Sequence, residues 1–327
     1  MKRMIIFGVL FTCFTFHSLI GLAIGGSDYP SKPVDLIVPY NPGGGTDLDG
    51  RLLAKYFGQV LNIQLNVINR PGGGGVIGTL EVMRARPDGY TLLVEGHATS
   101  SMLAAFQPGK LPFDWRGRTW IARTTIDPVI YQVRMDAPYR TLKEVADFIK
   151  KNPGQLRWGA TGVSGVGSPA GIQFFRASNI TLDMVNRVMF PGESKVLAAM
   201  AGGHIDFCGQ QYGPSWGLIE GKKNRPITVI AEKRLPLLPD VPTVSEEGYP
   251  GLDVHGWHGI SGPPKLPKEI ANWWGQALKK ACKDPRFVEM AQQVKKEVAF
   301  LDDEGLRQFA EMEYKKYLAL AEDVGAK

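Results

Sequence analysis

Cysteine and histidine are scarce in this sequence, and it holds no long run of one charge. The 327 residues include three cysteines and five histidines. Cys13 falls in the N-terminal segment. The remaining Cys208 and Cys282 form no CxxC and no Cys/His spacing of a zinc site. A disulfide framework and a structural metal are therefore not expected, and the two cysteines read as free, mostly buried thiols. His255 and His258 have neither an intervening Glu nor a third ligand, so no metal is expected there. The phosphate loop GxxxxGK(S/T) is absent. No cofactor is expected. Beyond the N-terminal segment, no apolar stretch approaches the ~20 residues that a bilayer span needs. The net charge of +6 is scattered among acids, without the basic stripe and stacking aromatics of a nucleic-acid binder.

What is present begins with a targeting pattern. Lys2-Arg3 precedes a mostly apolar stretch, Met4 to Ala23, and Ala23-Ile24-Gly25 has the small-x-small form of a cleavage site. Residues 1–25 are expected to be a secretory signal peptide, and the mature chain to act in the periplasm. Removing Lys2 and Arg3 lowers the formal charge from +6 to +4, which suits a small anionic ligand. Glycine and proline are plentiful, at 39 and 23 residues, and they cluster at turns.

The recurring unit is strand, glycine-rich turn, helix. VDLIVPY at 34–40 leads through Asn41-Pro42-Gly43-Gly44-Gly45 into a helix with an inner face of Leu48, Leu52, Leu53, Tyr56 and Phe57, and with Thr46-Asp47 as the expected cap. Strands at 63–69 and 90–95 follow. A second set comprises strands at 129–133, 156–160, 184–190, 205–208 and 227–231, with Ser168 as an expected N-cap ahead of Pro169. Strands alternating with helices predict an α/β fold with parallel sheets. The length suits two lobes: 26–126 with 232–327, and 127–231. A proline-rich stretch from Pro236 to Pro267 reads as a surface segment, and three helices close the chain.

Several residues could carry chemistry. Tyr40, Asn41, Gly43, Gly44, Thr46 and Asp47 belong to a strand-to-helix loop whose backbone N–H groups can receive an anion. Thr161, Ser164, Gly165 and Ser168 form a second loop of the same construction. His97 follows the third strand, where open α/β sheets place ligand-facing residues, and Gln210 follows another. Gly73-x-Gly75-x-x-Gly78 matches the dinucleotide fingerprint formally, but it follows the second strand and stands directly after Pro71-Gly72. Gly162 to Val166 lacks the last glycine of the nucleophile elbow GxSxG. Trp257, Trp273 and Trp274 read as packing residues.

These motifs also carry a likeness. Tyr29-Pro30-Ser31-Lys32-Pro33, the 38–47 loop, Asn69-Arg70-Pro71 with the glycines to Gly75 and Gly78, Pro87-Asp88-Gly89-Tyr90, and Leu238 to Val244 with Glu247-Gly248-Tyr249 stand in an order that resembles the Bug family, the extracytoplasmic receptors of tripartite tricarboxylate transporters. The resemblance implies a two-lobe Venus-flytrap fold and no catalysis. It implies a monomer that delivers a small organic carboxylate to membrane transporter subunits, with the ligand gripped by the loops at 41–47 and 161–168. The chain departs from the pattern at Gly171, where many members have His, at Phe190-Pro191-Gly192, and at Gly209, where amino-acid-binding members place an acid. A carboxylate without an amine is therefore expected. A periplasmic serine hydrolase using Ser164 or Ser168, and a ligand-presenting partner of a sensor, are the competing readings.

Overall fold

The computed structural model describes residues 29–162 and 165–323. The expected signal peptide and Ser164 lie outside those residues.

The chain opens with β1 (Val34–Val38), α1 (Gly45–Leu61), β2 (Leu65–Asn69), α2 (Val76–Met83) and β3 (Thr91–Gly96). β1 pairs in parallel with both β2 and β3. Its side chains are almost all buried, as a parallel strand covered by helices on both faces requires. Leu52, Leu53, Tyr56 and Phe57 of α1 pack with Val34, Leu36 and Val38, and Trp274 and Phe287 close that core. α1 stops at Asn62, whose left-handed backbone returns an N–H to Phe57 O. After β3, a π-turn at 98–102 runs into α3 (Leu103–Phe106).

β4 (Thr119–Arg134) is a single strand of 16 residues, roughly 50 Å long at strand rise. Thr119 to Pro128 pair with β9 (His255–Gly262), whereas Val129 to Arg134 pair with β7 (Phe207–Gln211) and β8 (Asn224–Ile230). One strand thus threads both halves of the sheet, in the order β2-β1-β3-β9-β4-β7-β5-β6. The second half adds α4 (Leu142–Lys151), β5 (Arg157–Thr161), α5 (Gly167–Ala177), β6 (Asn186–Phe190), α6 (Glu193–Ala201) and α7 (Tyr212–Glu220). β5 runs parallel to β6 and β7. Its core is aromatic, built on Tyr131, Trp158, Phe174, Phe175 and Phe207.

The chain then returns through β9, α8 (Lys268–Ala281), α9 (Pro285–Gln293), β10 (Glu297–Leu301) and α10 (Asp303–Asp323). α10 spans both halves: Leu306 and Ala310 pack with Trp120 and Trp257, and Tyr317, Leu320 and Ala321 join the cluster around Phe174. Trp257 and Trp274 are buried packing residues, and Cys208 and Cys282 are free thiols.

Three expectations need correction. The strand foreseen at 129–133 begins ten residues earlier, and Pro128 sits inside it. Proline has no N–H to donate, and it stands where β4 changes partners, so the ladder tolerates it. Within the proline-rich stretch lies β9, which pairs antiparallel with β3 and β4. Its glycines have low strand propensity, yet a Cβ on Gly259 would lie 2.1 Å from Ala122 O, so only glycine fits this close approach. The third correction concerns the helix caps. α1 is preceded by Gly44 and α5 by Val166, neither with a side-chain cap bond, so Thr46, Asp47 and Ser168 lie inside the first turns.

Candidate ligand-binding site

A cavity of about 470 Å³ opens between the two halves of the sheet. It sits where the C-terminal ends of β1, β5 and β7 meet the N-terminal ends of α1, α5 and α7, the general location of ligands in open α/β sheets. Each helix brings backbone N–H groups without helical partners and the positive end of its dipole.

On the first half, Tyr40, Asn41, Gly44, Gly45 and Thr46 line the cavity. The loop is shaped from behind by Asp47, which is buried and does not line it. Its carboxylate accepts from Gly43 N at 2.9 Å, Arg51 at 2.9 and 3.0 Å, and Asn69 Nδ2 at 2.9 Å. Burial alone would push this carboxyl up, but the bonds from Arg51, Gly43 and Asn69 hold it below the usual carboxylate range. Gly43 has φ +85°, which a side chain would strain, and it too lies outside the lining. The Tyr40 hydroxyl donates to Gly74 O at 3.1 Å and so ties β1 to the glycine run at 72–74, which forms another wall. That run takes up the apparent dinucleotide fingerprint. Gly78 serves packing, because a Cβ there would lie 2.8 Å from Pro39 Cα.

His97 lines the cavity at the end of β3. Burial drives its pKa down to about 3, so the ring is neutral. Nδ1 accepts the Trp257 N–H at 3.5 Å, which leaves Nε2 as the protonated nitrogen and hence a donor.

On the second half, Thr161, Gly162, Gly165 and Val166 line the cavity. Ser168 does not: its hydroxyl donates to Gly162 O and closes the turn. The histidine that the resemblance led us to look for is Gly171, and its place is taken by Trp158, whose ring lies 2.3 Å from where a Cβ would stand. Phe190 and Pro191 add apolar surface, with Gly192, Glu193 and Lys195 beside them.

Two amides finish the floor. Gln210 has no exposed surface, lines the cavity, and neither Nε2 nor Oε1 has a hydrogen-bond partner in the protein. Gln211 reaches across to the first half. Its amide fills the space that Cβ atoms on Gly45 and Gly256 would occupy, at 1.4 and 2.2 Å. Glu193 spans the same gap, accepting Gly45 N–H at 3.1 Å and Gln211 N–H at 2.7 Å. Pro71 to Gly74, Phe190 to Glu193 and Gln211 were not singled out from sequence as ligand-facing. The departure at 190–192 was the one local signal.

The arrangement offers converging N–H donors, two buried amides and a neutral histidine. Among the described residues, no group of three or more His, Cys, Asp or Glu could hold a metal ion. A model of the tripartite tricarboxylate transporter family receptor matches residues 50–326. The chain belongs to this receptor family. It is 31% identical over 263 residues to the UPF0065 protein in the TAR-I ttuE-ttuC' intergenic region of Agrobacterium vitis, covering 80% of this chain and 74% of that one. The structure of the periplasmic binding protein BugD is similar, with a TM-score of 0.83 at 27% identity over 91% of this chain and 99% of that one. MatC from Rhodopseudomonas palustris with bound malate has a TM-score of 0.81 at 25% identity, covering 90% and 100%. The receptor fold is therefore the two-lobe periplasmic binding protein fold. The family is one of solute-binding receptors and not of enzymes, which removes the serine-hydrolase alternative. Among the described residues no helix is long and apolar enough to cross a membrane.

Proposed function

We propose that the receptor is exported to the periplasm, captures a small organic carboxylate between its lobes and presents it to the membrane subunits of a tripartite transporter. The observation that carries this reading is Gln210. A buried amide with neither end satisfied is costly, and it lies on a cavity flanked by helix N-termini that suit an anion. A ligand carboxylate would accept from Gln210 Nε2, the His97 Nε2–H and free N–H groups of the two glycine loops. The malate in MatC supports a carboxylate as the ligand class. The change of partner strands at Pro128 and Val129 supports a first crossing between lobes near residue 127. Gln211 and Glu193, which reach from one half to the other, support capture by hinged closure of the two lobes.

Small-angle scattering on the mature chain, with and without a carboxylate that raises its melting temperature, tests the reading. Ligand should reduce the radius of gyration of a protein that is open beforehand. An acid that binds an open protein and leaves the radius unchanged would contradict capture between lobes.

A further inference from the structure

Among the described residues Glu193 is the one acid that lines the cavity, and it touches both halves of the sheet. It opens α6, directly after Gly192, and its carboxylate already takes two of the donors that face the cleft: Gly45 N–H in the first turn of α1, and Gln211 N–H just ahead of α7. Three helix N-termini therefore share a carboxylate that belongs to the protein. The α5 side of the cavity is different. There α5 begins, Gln210 lies buried with both amide atoms unpartnered, and Thr161 and Gly165 complete the wall. Phe190 and Pro191 give apolar surface.

We propose that Glu193 fills one of the cleft's two anion positions with the protein's own carboxylate, so that this receptor takes a monocarboxylate with an apolar body. The inference rests on the carboxylate reading above and narrows it. The ligand's single acid docks at the α5 end, against Gln210, and its body lies along Phe190 and Pro191. A second acid on the α1 side would meet Glu193, with the Gly45 and Gln211 N–H groups already committed. Like charges so placed are a strong means of rejecting a ligand. Lys195 also lines the cavity but is exposed, so water screens its charge.

The exclusion depends on charge, and charge on pH. Burial, and then Asp127 on β4, push the Glu193 carboxyl up to about 7. Among the described residues, Lys296 beyond Asp127 and Cys208 on β7 also interact with it, and Lys195 on its own helix, Tyr40 after β1 and His97 after β3 share the cavity. Protonation of Glu193 removes the repulsion, so a dicarboxylate gains affinity as pH falls through 7.

Titration calorimetry on the mature chain decides the matter, with hexanoate against adipate and benzoate against terephthalate. At about pH 8 the wild type should bind a monocarboxylate at least about tenfold more tightly than its matching dicarboxylate. Glu193→Gln should shrink that ratio to about threefold or less, and so should lowering the wild type to about pH 6. Glu193→Ala provides a second variant, and melting curves establish that each is folded. If neither variant folds, the wild-type ratios at the two pH values decide alone. The proposal is overturned by a wild type that binds a dicarboxylate as tightly at pH 8. It is also overturned by a folded Gln or Ala variant with an unchanged ratio, or by a pH response that persists in Glu193→Gln. If no acid of either kind binds, the carboxylate reading fails and this inference with it. If dicarboxylates bind preferentially, only the inference fails.

Discussion

Replacing Gln210 with leucine should move stability and affinity in opposite directions. Gln210 lies in β7 opposite Ile130, has no exposed surface, and neither amide atom has a protein partner. Leucine nearly matches its volume and carries no polar atom. An unsatisfied buried polar group costs about 1–3 kcal/mol. Relieving it should stabilise the ligand-free protein by about 1 kcal/mol, because the new side chain fills the slot imperfectly. At about 2–4 °C per kcal/mol for a domain of this order of size, the melting temperature should rise by a few degrees. Binding should suffer. A hydrogen bond to a charged group contributes about 1.5–3 kcal/mol, so carboxylate affinity should fall by about 10- to 150-fold. Differential scanning fluorimetry reads the first effect and titration calorimetry the second. A variant that melts lower would mean that the amide is satisfied in the empty protein. A variant with unchanged affinity would mean that Gln210 does not touch the ligand.

Gly45→Ala should hinder closure, because the added Cβ would stand 1.4 Å from Gln211 Oε1. Scattering should then show little ligand-induced compaction, and the double variant with Gln211→Ala should recover part of it. Asp47→Asn should destabilise the chain by about 1–3 kcal/mol in denaturant titration through its weakened bonds to Arg51, Gly43 and Asn69. The Asp47 carboxyl is held low in the fold, so its stabilisation is complete above the ordinary carboxylate range near about 4 and is lost as pH falls below it. The variant should therefore lose part of the acid limb of the stability profile. Protein recovered from its host should begin near Gly26, and an N-terminus that retains Lys2 would contradict export.

The parts legible in sequence were those with strong local signals. β1 was foreseen at 34–40 and stands at Val34–Val38. The receptor family was legible too, through the order and spacing of the glycine and proline motifs. The middle of the sheet was not. Pro128 reads as a break, and the glycines of β9 read as loop. Both are explained only by what lies opposite: a change of partner strand at Pro128, and the backbone of Ala122 against Gly259. In the site, glycines and polar residues marked the anion loops, so Asn41, Gly44, Thr46, Thr161 and Gly165 were named and do line the cavity. Asp47 and Ser168 were named for the same reason but turn inward, since their partners, Asn69 and Gly162, are set by the fold. Glu193 was not singled out. Its contact with Gly45 joins residues far apart in sequence, and no local pattern could reveal it.

The most direct test of the account compares each acid with its own primary amide. Melting curves of the mature receptor would be measured with a panel of small organic acids and the corresponding amides, which match in shape and lack the charge. The account predicts that at least one acid raises the melting temperature, that its amide does not, and that Gln210→Leu abolishes most of the shift. Acids and amides that stabilise equally, or a full panel that stabilises nothing, would contradict the claim that this cleft holds a carboxylate.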